Sequence, residues 1–178
     1  VLPTFNRAAA LGRAIQSVLA QTHRNLELIV VDDASTDSTI EVIKNVADVR
    51  MHYVRNVKNM GVSYSRNVGV YLAKGNLVAF QDSDDEWRIE KLAKQLHAFR
   101  SGGSGLSLVV CGDLCLNHYS MSYEGVASDQ VVVDVTGMTV MRLPPAPCWL
   151  ASKSELLRVG GFDERLNCFE DSSCHEVW

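Results

Sequence analysis

Leu77-Val78-Ala79-Phe80-Gln81-Asp82-Ser83-Asp84-Asp85-Glu86-Trp87 runs from four apolar residues straight into a cluster of carboxylates. The apolar run reads as a short buried strand. From Arg88 onward, Ile89, Leu92, Leu96 and Phe99 recur at the spacing of an amphipathic helix. The acids therefore sit at a strand's C-terminal end, the edge where open α/β sheets bind their ligands. Carboxylates crowded this closely raise one another's pKa unless something cationic neutralises them. A hard divalent cation carrying a phosphate-bearing ligand meets that need, since Mg2+ is commonly held by one or two carboxylates plus phosphate oxygens. The residues also have a plainer use: Asp and Ser favour turns and N-caps, and Asp84 or Asp85 could simply cap the following helix. An EF-hand is a poor match, because the central Gly and the terminal Glu spacing are missing.

The chain has 178 residues and a formal net charge of −4, the size of one domain with room for a substantial core. That charge and the ordinary composition point away from nucleic acid and from a polybasic membrane segment. No stretch approaches the roughly 18 unbroken apolar residues that a membrane helix requires. Opening at Val1 without a Met and stopping at Trp178, the sequence reads as a fragment truncated at both ends. Cys111, Cys115, Cys148, Cys168 and Cys174 include no Cys-x-x-Cys pair, so reduced thiols in a cytosolic protein are expected rather than a structural zinc site. A metal site built from Cys168, Cys174 and His175 ranks well below that reading.

On the N-terminal side, Val1-Leu2-Pro3 reads as the end of a strand. A helix follows with Leu11, Ala14, Ile15, Val18 and Leu19 on one face and Asn6 as its cap. Leu26 to Val31 forms the next strand and ends on Asp32-Asp33. Ile40, Ile43 and Val46 line a second helix, and Met51 to Val54 is a short strand. A third helix is expected from Val62 to Lys74, stopped by Gly75. On the C-terminal side the pattern is less regular. Leu106 to Cys111, Val131 to Val135 and Trp149 to Ser152 read as strands, Pro144 to Pro147 as an interruption, and Glu155 to Val159 as a short helix. Alternating strands and helices predict a mostly parallel central sheet covered on both faces, a Rossmann-like α/β/α sandwich.

Parallel strands would bring the loops Thr4-Phe5-Asn6, Asp32-Asp33 and Asp82 to Asp85 to one rim. There Phe5 offers a ring face for a base. Asp33 can accept a hydrogen bond from a base ring N–H or a ribose hydroxyl. The plainer alternatives are that Phe5 is core and that Asp32 and Asp33 cap the helix after Asp37. Neither Gly-x-Gly-x-x-Gly nor a P-loop occurs, so phosphates must be neutralised by a metal rather than a glycine-rich cradle.

With these blocks in view, the sequence closely resembles the family 2 glycosyltransferases of GT-A fold. The matching segments are Leu2-Pro3-Thr4-Phe5-Asn6-Arg7, Ser17 to Thr22, Val30 to Asp37, Gly61 to Gly69, Asp82 to Trp87, Gly160 to Glu164, and Glu170-Asp171. They run in order over nearly the whole chain. The resemblance implies one catalytic domain over 1–178, with residues 1–100 binding the nucleotide sugar and 106–178 facing the acceptor. It implies inverting transfer of a sugar from a nucleoside diphosphate sugar, a UDP-sugar first, to a glycan, lipid-linked or other hydroxyl acceptor. By the same resemblance Pro3, Thr4, Phe5, Arg7, Asp33, Arg66, Asn67 and Asp82 serve the nucleotide sugar. Asp84 is the Mg2+ or Mn2+ ligand, and Asp171 is the general base. A cytoplasmic location is expected, peripheral at the membrane's inner face through parts outside this sequence. The competing functions are a sugar-phosphate nucleotidyltransferase, which should show a Gly-rich basic loop after the first strand, and a non-catalytic nucleotide- or glycan-binding domain.

Overall fold

The computed structural model describes residues 1–102, 106–111, 131–133 and 145–165. Strands β1 (Leu2–Thr4), β2 (Leu28–Asp32) and β3 (Met51–Arg55) form a parallel sheet in the order β1-β2-β3. Helices α1 (Ala8–Leu19) and α2 (Thr39–Lys44) make the crossovers, and α3 (Val62–Leu72) follows β3. All five residues of β2 are buried, as befits a parallel strand covered twice. Its alternation divides the core. Leu28 and Val30 join Leu11, Ile15 and Val18 of α1, whereas Ile29 and Val31 join Val70 of α3 on the opposite face.

Strands β4 (Leu77–Ala79), β5 (Leu108–Val110), β6 (Val131–Val133) and β7 (Trp149–Ser152) form a second sheet, ordered β4-β7-β5-β6 with antiparallel neighbours. The two sheets meet at Val1. Its amino group donates to Ala79 O (2.7 Å), and its carbonyl accepts from Gln81 N (2.9 Å). Those two bonds have the pattern of a parallel bridge, so β4 runs beside β1 and its C-terminal end reaches the rim with those of β1 and β2. Helix α4 (Lys91–Ser101) covers β5 and β7, with Ala98 against Leu106 and Val109, and α5 (Lys153–Arg158) lies beside α3.

Several element ends differ from expectation, each because a distant side chain sets them. Asn6 does not cap α1; it has φ 52°, and the Asp37 carboxylate accepts from Ala8 N instead (3.1 Å). Asp37 also receives Thr39 N (3.0 Å) at the start of α2, so Asp32 and Asp33 do not cap that helix. Helix α3 stops at Leu72 rather than Lys74, and Gly75 keeps an ordinary φ. The Lys153 ammonium takes the Tyr71 and Ala73 carbonyls, while Glu27 accepts from the Lys74 and Gly75 amides (2.6 and 3.1 Å). Helix α4 begins at Lys91 rather than Arg88, leaving Ile89 exposed. Its N-cap position is Glu90, well past Asp85, and makes no side-chain capping bond.

Candidate active site

Backbone hydrogen bonds gather the ends of β1, β2 and β3: Asp33 N donates to Thr4 O and Asn56 N to Asp32 O, both at 2.8 Å. The first two rim loops are then stitched together. Asn6 N donates to Ser35 Oγ (3.0 Å), and Asn6 Oδ1 accepts from Thr36 N (2.8 Å) and Asp37 N (3.3 Å). Arg7 N donates to Thr39 Oγ1 (3.3 Å). Asn6 and Ala34, at φ 52° and 65°, occupy the left-handed region that non-glycine residues seldom visit, and this lattice holds both loops. Burial works against the Asp37 carboxylate. The Thr39 hydroxyl and the Ala8 and Thr39 amides outweigh it and hold the pKa below its usual value. One result is that Phe5 stands 42% exposed at the rim instead of joining the core, while Pro3 and Thr4 are buried in β1.

Asp32 and Asp33 do different work. Asp32, with no exposure, accepts from Ser35 N (2.8 Å), the Tyr53 hydroxyl (2.9 Å) and Arg55 Nη1 (3.3 Å), so it braces the loop. Burial first, and then the hydrogen bond to Asp32, raise the Tyr53 phenol above its ordinary pKa. Asp33, 4% exposed, receives Asn56 Nδ2 (2.7 Å) and Met60 N (2.9 Å) on Oδ1 and Gly61 N (2.8 Å) on Oδ2. Gly61 reaches that position with φ 91°, which only glycine adopts freely. A carboxylate has about four lone-pair sites. The three donors leave one acceptor site, on Oδ2.

The acidic loop is enclosed at its base and open at its tip. Gln81 is fully buried and donates through Nε2 to Asp85 O (2.6 Å). Asp82 accepts from Arg66 Nη2 (2.8 Å). That guanidinium lies 5.5 Å over the Phe162 ring, which stacks on Trp149 and meets Phe80 edge-on. The Asp84 side chain is 55% exposed and pairs with Arg7 Nε at 3.5 Å. An exposed pair of this kind is worth about 0–1 kcal/mol, so Asp84 can exchange partners readily. Among the described residues no group of three or more His, Cys, Asp or Glu could hold a metal by itself. A pair of carboxylates that draws two guanidiniums nonetheless suits a Mg2+ or Mn2+ ion whose remaining ligands come from a diphosphate. Thr4 Oγ1, Arg66 Nε and Gln81 Oε1 are buried here without a hydrogen-bond partner, and buried polar atoms ordinarily find one.

The structure thus brings Phe5, Arg7, Asp33, Arg66, Asp82 and Asp84 to one rim and turns Asn67 elsewhere. Asn67 donates to Phe162 O (2.8 Å) and Glu164 Oε1 (2.9 Å) and accepts from Phe162 N (2.8 Å). It grips a Schellman turn that ends α5, where Gly160 N and Gly161 N bond to Leu157 O and Leu156 O. Asp171 lies outside the described residues, as do Cys115, Cys168, Cys174 and His175. Sequence reasoning missed Tyr53, Asn56 and the Trp149–Phe162 platform. Period-two spacing along β3, which puts Tyr53 and Arg55 on one face, was the available signal for the first.

The family model described as Glycosyl transferase family 2 matches residues 1–114. The UDP-Glc:alpha-D-GlcNAc-diphosphoundecaprenol beta-1,3-glucosyltransferase WfaP of Escherichia coli is 29% identical over 158 residues, covering 81% of this chain and 63% of its own. The putative teichuronic acid biosynthesis glycosyltransferase TuaG of Bacillus subtilis (strain 168) is 40% identical over 98 residues, 54% of this chain and 39% of its own. The chain therefore spans less than two thirds of the length of either relative. Among solved structures, S. aureus TarS 1-349 in complex with UDP superposes with a TM-score of 0.73 at 24% identity, covering 94% of this chain and 50% of that one. Mannosyltransferase PcManGT from Pyrobaculum calidifontis, in complex with GDP-Man and Mn2+, gives 0.68 at 19% identity, covering 92% and 46%. At such identities these likenesses establish the fold.

Proposed function

Because this chain belongs to glycosyl transferase family 2, we propose that it transfers a sugar, with inversion, from a nucleoside diphosphate sugar to an acceptor hydroxyl. The observation that carries the reading is the single rim on which an exposed ring, a buried carboxylate with one acceptor site left, and a guanidinium-drawing pair of carboxylates converge. Phe5 and Thr4 take the base, and Asp33 Oδ2 accepts its ring N–H. Uracil and guanine both offer such a ring N–H; UDP is put first because the WfaP relative is named for a UDP-sugar donor. Arg66 and Arg7, which pair with Asp82 and Asp84, would meet the diphosphate. Asp84, with Asp82 behind it, would hold Mg2+ or Mn2+, which supplies offsetting positive charge for the departing diphosphate.

In the reaction, the acceptor oxygen forms a bond to the anomeric carbon as the bond from that carbon to the diphosphate oxygen breaks. The acceptor proton passes to Asp171. A positioned carboxylate in that role contributes about 10²–10⁴-fold. Residues 1–100 would serve the donor and 106–178 the acceptor. A lipid-linked diphosphate sugar, the acceptor type named for the WfaP relative, is the first candidate, in a pathway of envelope polysaccharide assembly. Among the described residues no helix is long and apolar enough to cross a membrane. A lipid-linked acceptor like that named for WfaP would bring the enzyme to the membrane's cytoplasmic face by peripheral contact.

Transfer and donor hydrolysis measured with UDP-sugars and Mn2+ test this on the parent protein, Asp84→Ala and Asp171→Asn. Asp84→Ala should lose its metal dependence along with at least 100-fold of turnover, about the cost of losing a main transition-state charge stabiliser. Asp171→Asn should lose about 10²–10⁴-fold while still binding UDP. Nucleotide binding that is equal and metal-independent in all three, with no turnover in any, would sink the enzyme reading.

A further inference from the structure

The segment Ser17-Val18-Leu19-Ala20-Gln21-Thr22 takes no part in the rim, yet its polar side chains all turn toward the chain leaving the acidic loop. Gln21 is fully buried. Its Nε2 donates to Ser17 O (3.1 Å) and Arg88 O (2.8 Å), and its Oε1 accepts from Leu92 N (3.0 Å). Ser17 Oγ accepts from Trp87 N (3.0 Å) while donating to Ala14 O (2.8 Å). Thr22 donates its amide (2.9 Å) and its hydroxyl (3.3 Å) to Ile89 O. Residues 87–92 are therefore fastened to the end of α1 at four points along their length. The loop's entrance is fastened separately, through Gln81 N to Val1 O.

This arrangement is unusual for a helix start. The first turn of α4 could be capped by a nearby Ser or Asp, which the acidic loop supplies in quantity. Its Leu92 amide is served instead by an amide side chain 71 residues away. Burying a primary amide is costly unless each of its donors and its acceptor is matched, and here they are. Such a matched bracket specifies one geometry for whatever it holds, and what it holds is the exit of the loop bearing Asp82 and Asp84.

We propose that Gln21, supported by Ser17, is a positioning residue for the Asp84 carboxylate. The inference rests on the metal reading given above. Gln21 touches neither nucleotide nor metal. It fixes where the loop leaves the rim, and so where Asp84 stands relative to the diphosphate. Outer partners of metal ligands typically contribute about 10–100-fold to metal affinity. Phe5 and Asp33 belong to other loops with their own bracing, so base binding should not depend on Gln21.

The test compares Gln21→Met, which keeps the volume and removes all three bonds, with Gln21→Glu, which keeps the acceptor for Leu92 N, and with Ser17→Ala. Mn2+ binding in the presence of UDP is read by electron paramagnetic resonance. UDP affinity without metal, amide exchange over residues 87–92 without ligand, and the thermal midpoint are read beside it. Gln21→Met should bind Mn2+ about 10-fold more weakly, Gln21→Glu at least as weakly because its carboxylate would face the Ser17 and Arg88 carbonyls, and Ser17→Ala by a smaller factor. Exchange at Trp87 and Leu92 should quicken while metal-free UDP affinity holds. If Gln21→Met does not fold, the other two variants report the same quantities. Variants that lose thermal stability yet bind Mn2+ as the parent does overturn the inference, provided Asp84→Ala has lost binding. Parent-like Mn2+ binding in Asp84→Ala would instead remove the metal reading, and the inference with it.

Discussion

Asp37 receives the Thr39 hydroxyl at 2.5 Å and the Ala8 and Thr39 amides, and these bonds hold its carboxyl below the ordinary value of 3.8 despite the opposing effect of burial. A carboxylate whose pKa is lower folded than unfolded adds stability above the unfolded value and loses it as pH falls through the folded one. The Asp37 contribution is therefore complete near neutrality and drains away below about pH 4. Asp48 and Asp163, each down to about 2 beside an arginine, titrate in the same window. Asp37→Asn should accordingly flatten, without abolishing, the acid limb of a stability-against-pH curve below about pH 4. Parallel curves for parent and variant would remove Asp37 from that account. The acids of the rim were readable from the sequence because their residue types and clustering announce them. Asn56, which fills one position on Asp33, was not, because only the folded chain brings it there.

At the scale of elements, glycines on two helices should respond oppositely to the same change. Gly69 of α3 lies so close to β1 that a Cβ would fall 2.2 Å from Val1 Cγ1. Gly69→Ala should cost about 1–3 kcal/mol by overpacking. On α1, a Cβ at Gly12 would meet Val42 Cγ1 at an ordinary 3.8 Å. Gly12→Ala should therefore stabilise by about 0.5–1 kcal/mol through helix propensity. Thermal denaturation of both variants checks the signs, and a stabilised Gly69→Ala would contradict the packing described. Elements governed by their own periodicity were legible: the buried residues of α1 are the stripe Leu11, Ala14, Ile15, Val18 and Leu19. Boundaries governed by remote groups were not. Lys153 and Glu27 set the end of α3, and Gln21 sets the start of α4.

For the molecule as a whole, ligands that bind only the folded state raise its stability by mass action, by about 2.7 kcal/mol at one hundred times Kd. UDP should raise the thermal midpoint by itself, and Mn2+ should add a second increment that Asp84→Ala lacks. An increment of equal size in the variant would separate the metal from Asp84. Alternation of strands and helices revealed the parallel half, whose sheet repeats one local unit. The antiparallel insertion of β7 between β4 and β5 was hidden, because it joins segments far apart in the chain. Helix α3 spans what that insertion brings together. Consecutive residues on one of its turns hold different structures: Arg66 holds Asp82, and Asn67 holds the turn around Phe162. Asp82 and the Phe162 turn thus share a single support, two adjacent residues of one helix turn.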